Sequence, residues 1–171
     1  MSSLGIRTYG AEVLRRRGDA VDDFGERIIP FLLQMAETMV VEGGVGLAAP
    51  QVGVSRLIAV INPEPENPDS LIEMVNPRIV AASDDEVAFE EGCLSVPGIR
   101  ADVIRPEAVT VTYQDRDGAQ HRLDADGILA RIIQHELDHL DGVLFVDRLS
   151  AAKRVLLKPR LKRLLCTRDG E

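Results

Sequence analysis

The chain has 171 residues, 45% of them hydrophobic and 28% charged, and this composition predicts a single globular domain with a sizeable core. Its formal net charge of −8 argues against general or sequence-specific binding of nucleic acid, and no apolar stretch is long enough to span a membrane. The first ten residues lack the features of a signal peptide, so we expect a cytoplasmic protein in which Cys93 and Cys166 are free, reduced thiols.

The N-terminal part of the chain predicts one amphipathic helix over residues 22–44. Apolar residues recur there at helical spacing, and the pair Gly43-Gly44 marks the end. Pro30 has no backbone N–H to donate, so either the helix begins near this residue or it kinks there.

The middle of the chain predicts strands, and the C-terminal part predicts two more helices. Runs of β-branched and alternating residues predict four strands, at 56–62, 71–82, 86–92 and 107–115. Asp117-Gly118 predicts a hairpin turn after the last of them. Residues 125–140 return to helical spacing, and residues 150–165 predict a last helix that Ser150 caps and Pro159 bends or shortens. This order predicts an α+β fold of mostly antiparallel sheets around the helix at 125–140, in one domain over residues 1–171.

The C-terminal segment is strongly basic. Residues 148–168 include eight Lys or Arg and no Asp or Glu. The simpler interpretation is a solvated basic helix, and the alternative is a docking surface for an acidic partner.

The helix at 125–140 carries a pattern typical of metallohydrolases. His135 and His139 are four residues apart, so both imidazoles leave one face of the helix and can bind one metal ion. Glu136 follows the first histidine, in the position of a residue that takes a proton from a metal-bound water. The alternative is a pair of histidines on a helix surface.

A third protein ligand is not apparent downstream of this pattern. Phe145 occupies the position of the third histidine of metzincins, and Glu171 is the only glutamate after His139. The upstream candidates are Cys93, His121 and the acidic residues at 84–91. His121 lies in a polar hairpin and favours a solvated surface position. Cys93, in "EEGCLSVPG", is either a competent thiolate ligand or a small buried apolar residue.

Three segments together resemble the signature motifs of peptide deformylases. They are "GVGLAAPQ" at 44–51, "EGCLS" at 91–95 and "QHELDH" at 134–139, in the family's order and with spacing like that of the bacterial enzymes. The resemblance extends over essentially the whole chain, and no motif position departs from the pattern. It implies a metal-dependent hydrolase that removes the N-formyl group from the formyl-methionine of newly made proteins and releases formate.

The resemblance also implies a role for each motif residue. Cys93, His135 and His139 would bind the metal, Fe(II) in the cell, with Zn, Ni or Co able to substitute. Glu136 would activate the metal-bound water. The Gln51 side-chain amide and the Leu94 backbone N–H would hold the oxyanion, and the Gly46 backbone would accept a hydrogen bond from the substrate.

We expect an apolar pocket for the methionine side chain, with formyl-methionyl nascent peptides as partners and the ribosome as a possible partner of the basic tail. The predicted substrate-binding residues are Gly44, Val45, Phe89, Glu91, Ile128 and Arg131. Arg131 is expected to lay its stem along the pocket with its charge pointing outward, or to tune which side chains bind. By analogy with the family, Asp138 is expected to pair with Arg105 and anchor the helix, and the alternative is an ordinary surface salt bridge.

Two alternatives to this function stay open. One is a related metalloamidase that acts on a different formylated substrate. The other is a binding module with a structural metal, which would require a fourth Cys or His ligand such as Cys166.

Overall fold

The computed structural model describes residues 3–166 without the side chain of Cys166, so the predicted thiol at this position and Arg168 lie outside the described residues. The described chain forms three α-helices, α1 (Ile29–Val41), α2 (Gly127–Leu140) and α3 (Ala151–Cys166). Its seven strands are β1 (Gly46–Ala48), β2 (Ile58–Ile61), β3 (Ile72–Ala82), β4 (Glu86–Cys93), β5 (Val96–Pro106), β6 (Ala108–Gln114) and β7 (Gln120–Asp126). Over residues 3–166, no helix has both the length and the apolar character that a membrane crossing needs.

The strands form two antiparallel sheets. Five of them make one sheet in the order β1-β2-β3-β6-β7, and β4 and β5 make a separate hairpin sheet. Helix α2 packs on the larger sheet, where Ile133 and Leu137 join a buried cluster with Met74 and Val111. This arrangement confirms the predicted α+β fold of antiparallel sheets around α2, with helices towards both ends of the chain.

The first two helices begin later than the sequence predicts. Helix α1 begins at Ile29, with Pro30 in its first turn, which confirms the first of the two possibilities for this proline. Helix α2 begins at Gly127 because β7 continues to Asp126, and Gly127, at φ 52°, makes the change of direction between strand and helix.

Helix α3 is not shortened by Pro159, since it continues to Cys166. Its start agrees with the sequence, because Ser150 Oγ accepts a hydrogen bond from the backbone N–H of Lys153 at 3.3 Å. Leu157 and Leu161 pack against a third buried cluster, which includes Phe145. Apolar contacts on one side of α3 therefore outweigh the hydrogen bond that the proline removes.

Two strands, β1 and β5, were not predicted, and β7 was implied only by the predicted hairpin turn at Asp117-Gly118. Strand β1 has three residues, too few for an alternating pattern. Strand β5 begins three residues after the end of β4, and its exposed charged residues, such as Arg100, interrupt its apolar pattern. Both strands lie beside the site described next.

Candidate metal centre

Strand β4 and helix α2 bring three potential metal ligands together. Cys93 is the last residue of β4, and the register of the β4–β5 pair shifts between Gly92 and Cys93. His135 and His139 lie one turn apart on α2. Cys93 Sγ is 3.2 Å from His139 Nε2, and ligand atoms of all three residues lie within 4.8 Å of one another.

The other candidates for the third ligand lie elsewhere. His121 is on β7, where its Nε2 contacts Asp115 Oδ2 at 2.7 Å. The acidic residues at 84–90 are exposed, and the Glu91 carboxylate contacts His135 at Nδ1. Among the described residues, Cys93 is the one that joins the two histidines.

The chemistry of these residues fits a divalent cation. Glu91 Oε2 lies 2.9 Å from His135 Nδ1, which orients the imidazole and leaves Nε2 for a metal. One thiol and two imidazoles form a donor set that suits zinc or ferrous iron and leaves a coordination position open. Two buried polar atoms at the site, Glu136 Oε2 and His139 Nδ1, have no hydrogen-bond partner in the described part of the chain. Unpartnered buried polar atoms are rare and often mark functional sites.

The surroundings push the pKa values of the two histidines apart. Burial, helped by the nearby charge of His135, lowers the pKa of His139 well below its usual value and keeps this imidazole neutral. Burial opposes a charge on His135 as well, but contacts with Cys93 and Glu91 raise its pKa well above the usual value. A cation that binds His135 Nε2 therefore replaces a proton.

Glu136 is buried beside these ligands and is poised to exchange a proton near neutral pH. Burial raises the pKa of its carboxyl group from 4.5 to about 7. The carboxyl group lies directly against Gly46 of β1, where an added Cβ would lie 2.8 Å from Cδ and 2.9 Å from Cγ of Glu136. Glycine at position 46 therefore leaves the space that the carboxyl group occupies.

Replacing Gly46 with alanine is expected to displace the Glu136 carboxyl group and to lower the catalytic rate by about 10²-fold, as an error of about 1 Å in placement can. Formate release from a formyl peptide and metal content measure the two possible effects. Gly5→Ala is the matched control, because nothing lies within 4 Å of a Cβ at that position. An unchanged rate in Gly46→Ala would show that the carboxyl group needs no fixed position.

Gln51 contacts the thiol of Cys93. Its Oε1 accepts a hydrogen bond from the Ala48 N–H at 2.8 Å, which directs Nε2 towards Cys93 Sγ at 3.5 Å and Ser95 Oγ at 3.2 Å. The side chain is almost fully buried, at 1% exposed. A fixed, uncharged donor therefore lies next to the ligand cluster.

A cleft of about 390 Å³ opens beside the cluster. It is lined by all ten residues that were predicted to be catalytic or to bind substrate: Gly44, Val45, Gly46, Gln51, Phe89, Glu91, Leu94, Ile128, Arg131 and Glu136. Ile132, Glu90 and Arg100 also line it and were not among the predicted residues.

The charge on Arg131 does not point outward as predicted. Its side chain is buried, and its guanidinium donates to Glu91 Oε1 at 2.9 Å, to the Val103 carbonyl at 3.0 Å and to the Val87 carbonyl at 2.7 Å. A buried carboxylate and two carbonyl oxygens attract the guanidinium more strongly than the solvated edge of the cleft does.

The carboxylate of Glu91, a residue predicted to bind substrate, is buried and contacts Arg105, Arg131 and His135. Arg105 donates to both of its oxygens, at 2.6 and 3.0 Å, and donates to Asp138 Oδ2 at 2.8 Å. Burial alone would raise the pKa of Glu91, but hydrogen bonds from His135 and Arg105 hold it well below its usual range. Arg148 also binds both oxygens of Asp138, at 3.1 and 2.6 Å.

Sequence reasoning missed two of these partners. Arg148 stands in the basic segment and Ser95 in the motif at 91–95, but neither has a predicted role in the site. Ser95 is buried, and its backbone N–H donates to Cys93 Sγ at 3.4 Å. Its place two residues after a possible ligand was the available signal, whereas nothing local distinguishes Arg148 from its basic neighbours.

Known proteins resemble this chain in both sequence and structure. The polypeptide deformylase family model matches residues 3–155. A peptide deformylase of Picosynechococcus is 42% identical over 93% of this chain and 84% of its own length. Peptide deformylase 2 of Gloeobacter violaceus is 46% identical over 92% of this chain and 84% of its own length.

Solved structures agree with the sequence matches. A crystal structure of peptide deformylase from Plasmodium falciparum superposes with a TM-score of 0.93 at 36% identity, covering 97% of this chain and 98% of that one. Peptide deformylase from Synechococcus elongatus, solved in complex with actinonin, gives a TM-score of 0.86 at 41% identity and covers 97% of this chain and 88% of that one. On these grounds, together with the ligand cluster on β4 and α2, the chain belongs to the polypeptide deformylase family of metal-dependent enzymes.

Proposed function

We propose that this chain removes the N-formyl group from the N-terminal formyl-methionine of newly made proteins and releases formate. The observation that supports it best is the buried Glu136 Oε2, which has no hydrogen-bond partner among residues 3–166 and lies on the helix turn that carries two of the three potential metal ligands. Such a pairing of ligand cluster and free carboxylate suits hydrolysis rather than a purely structural metal. Because formylated chains emerge from the ribosome, we also propose that this protein is located in the cytoplasm.

The edges of two strands support binding of an extended peptide. Within residues 3–166, strand β1 pairs only with β2 and β4 pairs only with β5, so each has an edge that no other described strand covers. Residues of both strands line the cleft. A peptide backbone placed between them would continue both ladders, with the Gly46 backbone as one acceptor, while Val45, Phe89 and Ile128 contact its side chains.

Cys93, His135 and His139 are proposed to hold the cation, with Fe(II) as the cellular metal and Zn, Ni or Co as substitutes. The sulfur and imidazole donors are softer ligands than carboxylates, and such donors favour these transition metals. When bound, the cation lowers the pKa of a water molecule and polarises the formyl oxygen.

Glu136 is proposed to move the proton. Its carboxylate takes a proton from the attacking water and delivers it to the amine nitrogen as the C–N bond breaks, leaving formate and a free amino terminus. A pKa near 7 suits a group that acts first as a base and then as an acid. The Gln51 amide, fixed beside Cys93, and the Leu94 N–H are proposed to donate to the oxyanion that forms at the formyl oxygen.

Formate release tests the proposal. The protein is purified anaerobically with Fe(II) or Ni(II) and incubated with formyl-Met-Ala-Ser, with acetyl-Met-Ala-Ser as the matched control. We expect formate from the first peptide and no acetate from the second, because the extra methyl group of acetyl would have to fit beside the buried side chains of Gln51 and Glu136. Release from other formyl amides but not from this peptide would favour a related metalloamidase.

We also propose that α3 docks on the ribosome. Arg154, Lys158 and Lys162 recur every four residues and so share one face, together with the apolar residues Val155 and Leu165. Basic residues on one face suit a surface rich in phosphate.

Neutralising this face is expected to weaken co-sedimentation with ribosomes roughly tenfold at about 0.1 M salt, because the binding depends on ion pairs with phosphates. The variant combines R154Q, K158Q and K162Q, and peptide turnover should stay at the wild-type rate. K153Q with R160Q is the control, since these two cations already donate to the carbonyls of Asp102 and Gly98. Undiminished co-sedimentation of the triple variant would count against docking through this face.

A further inference from the structure

Two arginines share one buried carboxylate beneath the cleft. Glu91, Arg105 and Arg131 are each no more than 5% exposed. Arg105 binds both oxygens of Glu91, whereas Arg131 binds Oε1 alone. Arg105 alone supplies the positive charge that neutralises Glu91, so neutralisation does not require Arg131. Arg131 is therefore expected to have a further role.

The remaining contacts of the two arginines go to different parts of the protein. Arg105 continues to Asp138, so it connects Glu91 to another residue of the metal helix α2. Arg131 lies on α2 and donates to the carbonyls of Val87 in β4 and Val103 in β5. It therefore ties α2 to both strands of the smaller sheet.

Arg131 also lies next to the apolar part of the cleft. The guanidinium carbon of Arg131 is 5.9 Å from the centroid of the Phe89 ring, on β4. Ile128 precedes Arg131 by one turn of α2. Phe89 and Ile128 are each about half exposed, and both line the cleft, so its apolar surface is divided between the two elements that Arg131 joins.

We propose that Arg131 is a positioning residue that sets the spacing between α2 and β4, and thereby determines which first side chain the cleft accepts. This inference rests on the proposed deformylase function. It concerns the width of the side-chain subsite and not the chemistry at the ligand cluster.

These contacts predict that loss of Arg131 changes substrate binding but not metal binding. Without Arg131, Glu91 keeps both hydrogen bonds from Arg105 and its contact with His135, so the metal ligand stays oriented. The Val87 and Val103 carbonyls, in contrast, lose a charged donor, and β4 is free to shift relative to α2.

The test compares R131M and R131K with R105K in the metal-loaded enzyme. Formyl peptides that begin with methionine, norleucine or phenylalanine give kcat and KM, and calorimetry gives the affinity for the product Met-Ala-Ser. For R131M we expect KM for the methionine peptide to rise about tenfold, and the preference for methionine over phenylalanine to fall by a similar factor, the size of effect that pocket shape controls. Its kcat and the visible spectrum of its Co(II) form should match wild type. R131K keeps the aliphatic stem and the charge but not the forked arrangement of N–H donors. Its KM and its preference for methionine should lie between those of wild type and R131M.

R105K is expected to behave in the opposite way, with a changed Co(II) spectrum and a lower kcat but little change in selectivity. R122M, a change of an exposed arginine on β7, controls for loss of a positive charge. Urea unfolding identifies any variant that fails to fold, in which case R131K carries the test.

Two outcomes would overturn the inference: side-chain selectivity unchanged in both Arg131 variants, or a fall in kcat with an altered Co(II) spectrum and no change in KM. Failure of the proposed function is distinguishable, because the wild type would then release no formate. The affinities of wild type and R131M for Met-Ala-Ser, and for peptides with other first residues, would still test the role of Arg131.

Discussion

Replacing Glu136 with glutamine is expected to lower kcat for formate release by about 10²–10⁴-fold, the usual contribution of a general acid and base. Glutamine has nearly the shape of glutamate but cannot take up a proton at neutral pH, so the change isolates proton transfer. Burial raises the pKa of the Glu136 carboxyl group to about 7, so its protonation state changes within the working range of pH. Formate release from formyl-Met-Ala-Ser measures the effect, with Glu136→Ala as a second variant.

Metal content and the Co(II) spectrum control for damage to the ligand cluster. Glu136 is not one of the three proposed ligands, so both should stay close to the wild type. Glu12→Gln, a change of an exposed carboxylate far from α2 in sequence, controls for loss of a negative charge. Turnover by Glu136→Gln at the wild-type rate would contradict the proposed mechanism while leaving the family assignment untouched.

Replacing Glu91 with glutamine is expected to lower the free energy of unfolding by about 3–5 kcal/mol, the cost of breaking a buried ion pair from one side. The change removes the carboxylate that Arg105 and Arg131 share, so Arg105 keeps only Asp138 as a buried acidic partner and Arg131 keeps only the carbonyls of Val87 and Val103. It also weakens the acceptor that orients His135, so metal affinity should fall as well. Urea unfolding of the metal-free and metal-loaded forms separates the two effects, since a bound metal itself stabilises the folded state.

Glu90→Gln is the matched control, because Glu90 is the adjacent residue of the same strand. Its carboxylate forms an ion pair with Arg100 at 2.8 Å, in which both side chains are more than half exposed. Exposed pairs of this kind contribute about 0–1 kcal/mol. Equal losses in the two variants would contradict the view that the ion pairs of Glu91 with Arg105 and Arg131 stabilise the buried interior.

Local patterns in the sequence predicted much of the fold and, in the candidate site, His135, Glu136 and His139. The spacing of His135 and His139 depends only on helix geometry, so it could be recognised before the fold was known. The start of α1 near Pro30 and the cap at Ser150 depend likewise on interactions within one turn. Strand β1 escaped because three residues cannot establish an alternating pattern, although its Gly46 makes room for Glu136.

Local patterns could not predict whether Cys93 is a metal ligand. Its own neighbourhood allowed both a metal ligand and a small buried residue, and only the resemblance to peptide deformylases favoured the first. The structure places it 3.2 Å from His139, which lies 46 residues further along the chain. Long-range proximity of this kind follows from the pairing of β4 with β5 and from how that hairpin meets α2.

Local patterns in the sequence predict the class of fold and the candidate metal-ligating face of α2, and the three motifs predict the family. Each of these depends on contacts within a few residues or on a pattern of letters. The positions of the charges on Glu91, Arg105, Arg131 and Arg148, in contrast, depend on contacts between distant parts of the chain. A long charged side chain turns toward whichever partner is nearest, and the partners of Arg131 are 28 to 44 residues away in sequence. Burial then selects the paired, inward orientation, because an unpaired charge in the interior costs far more than one in water.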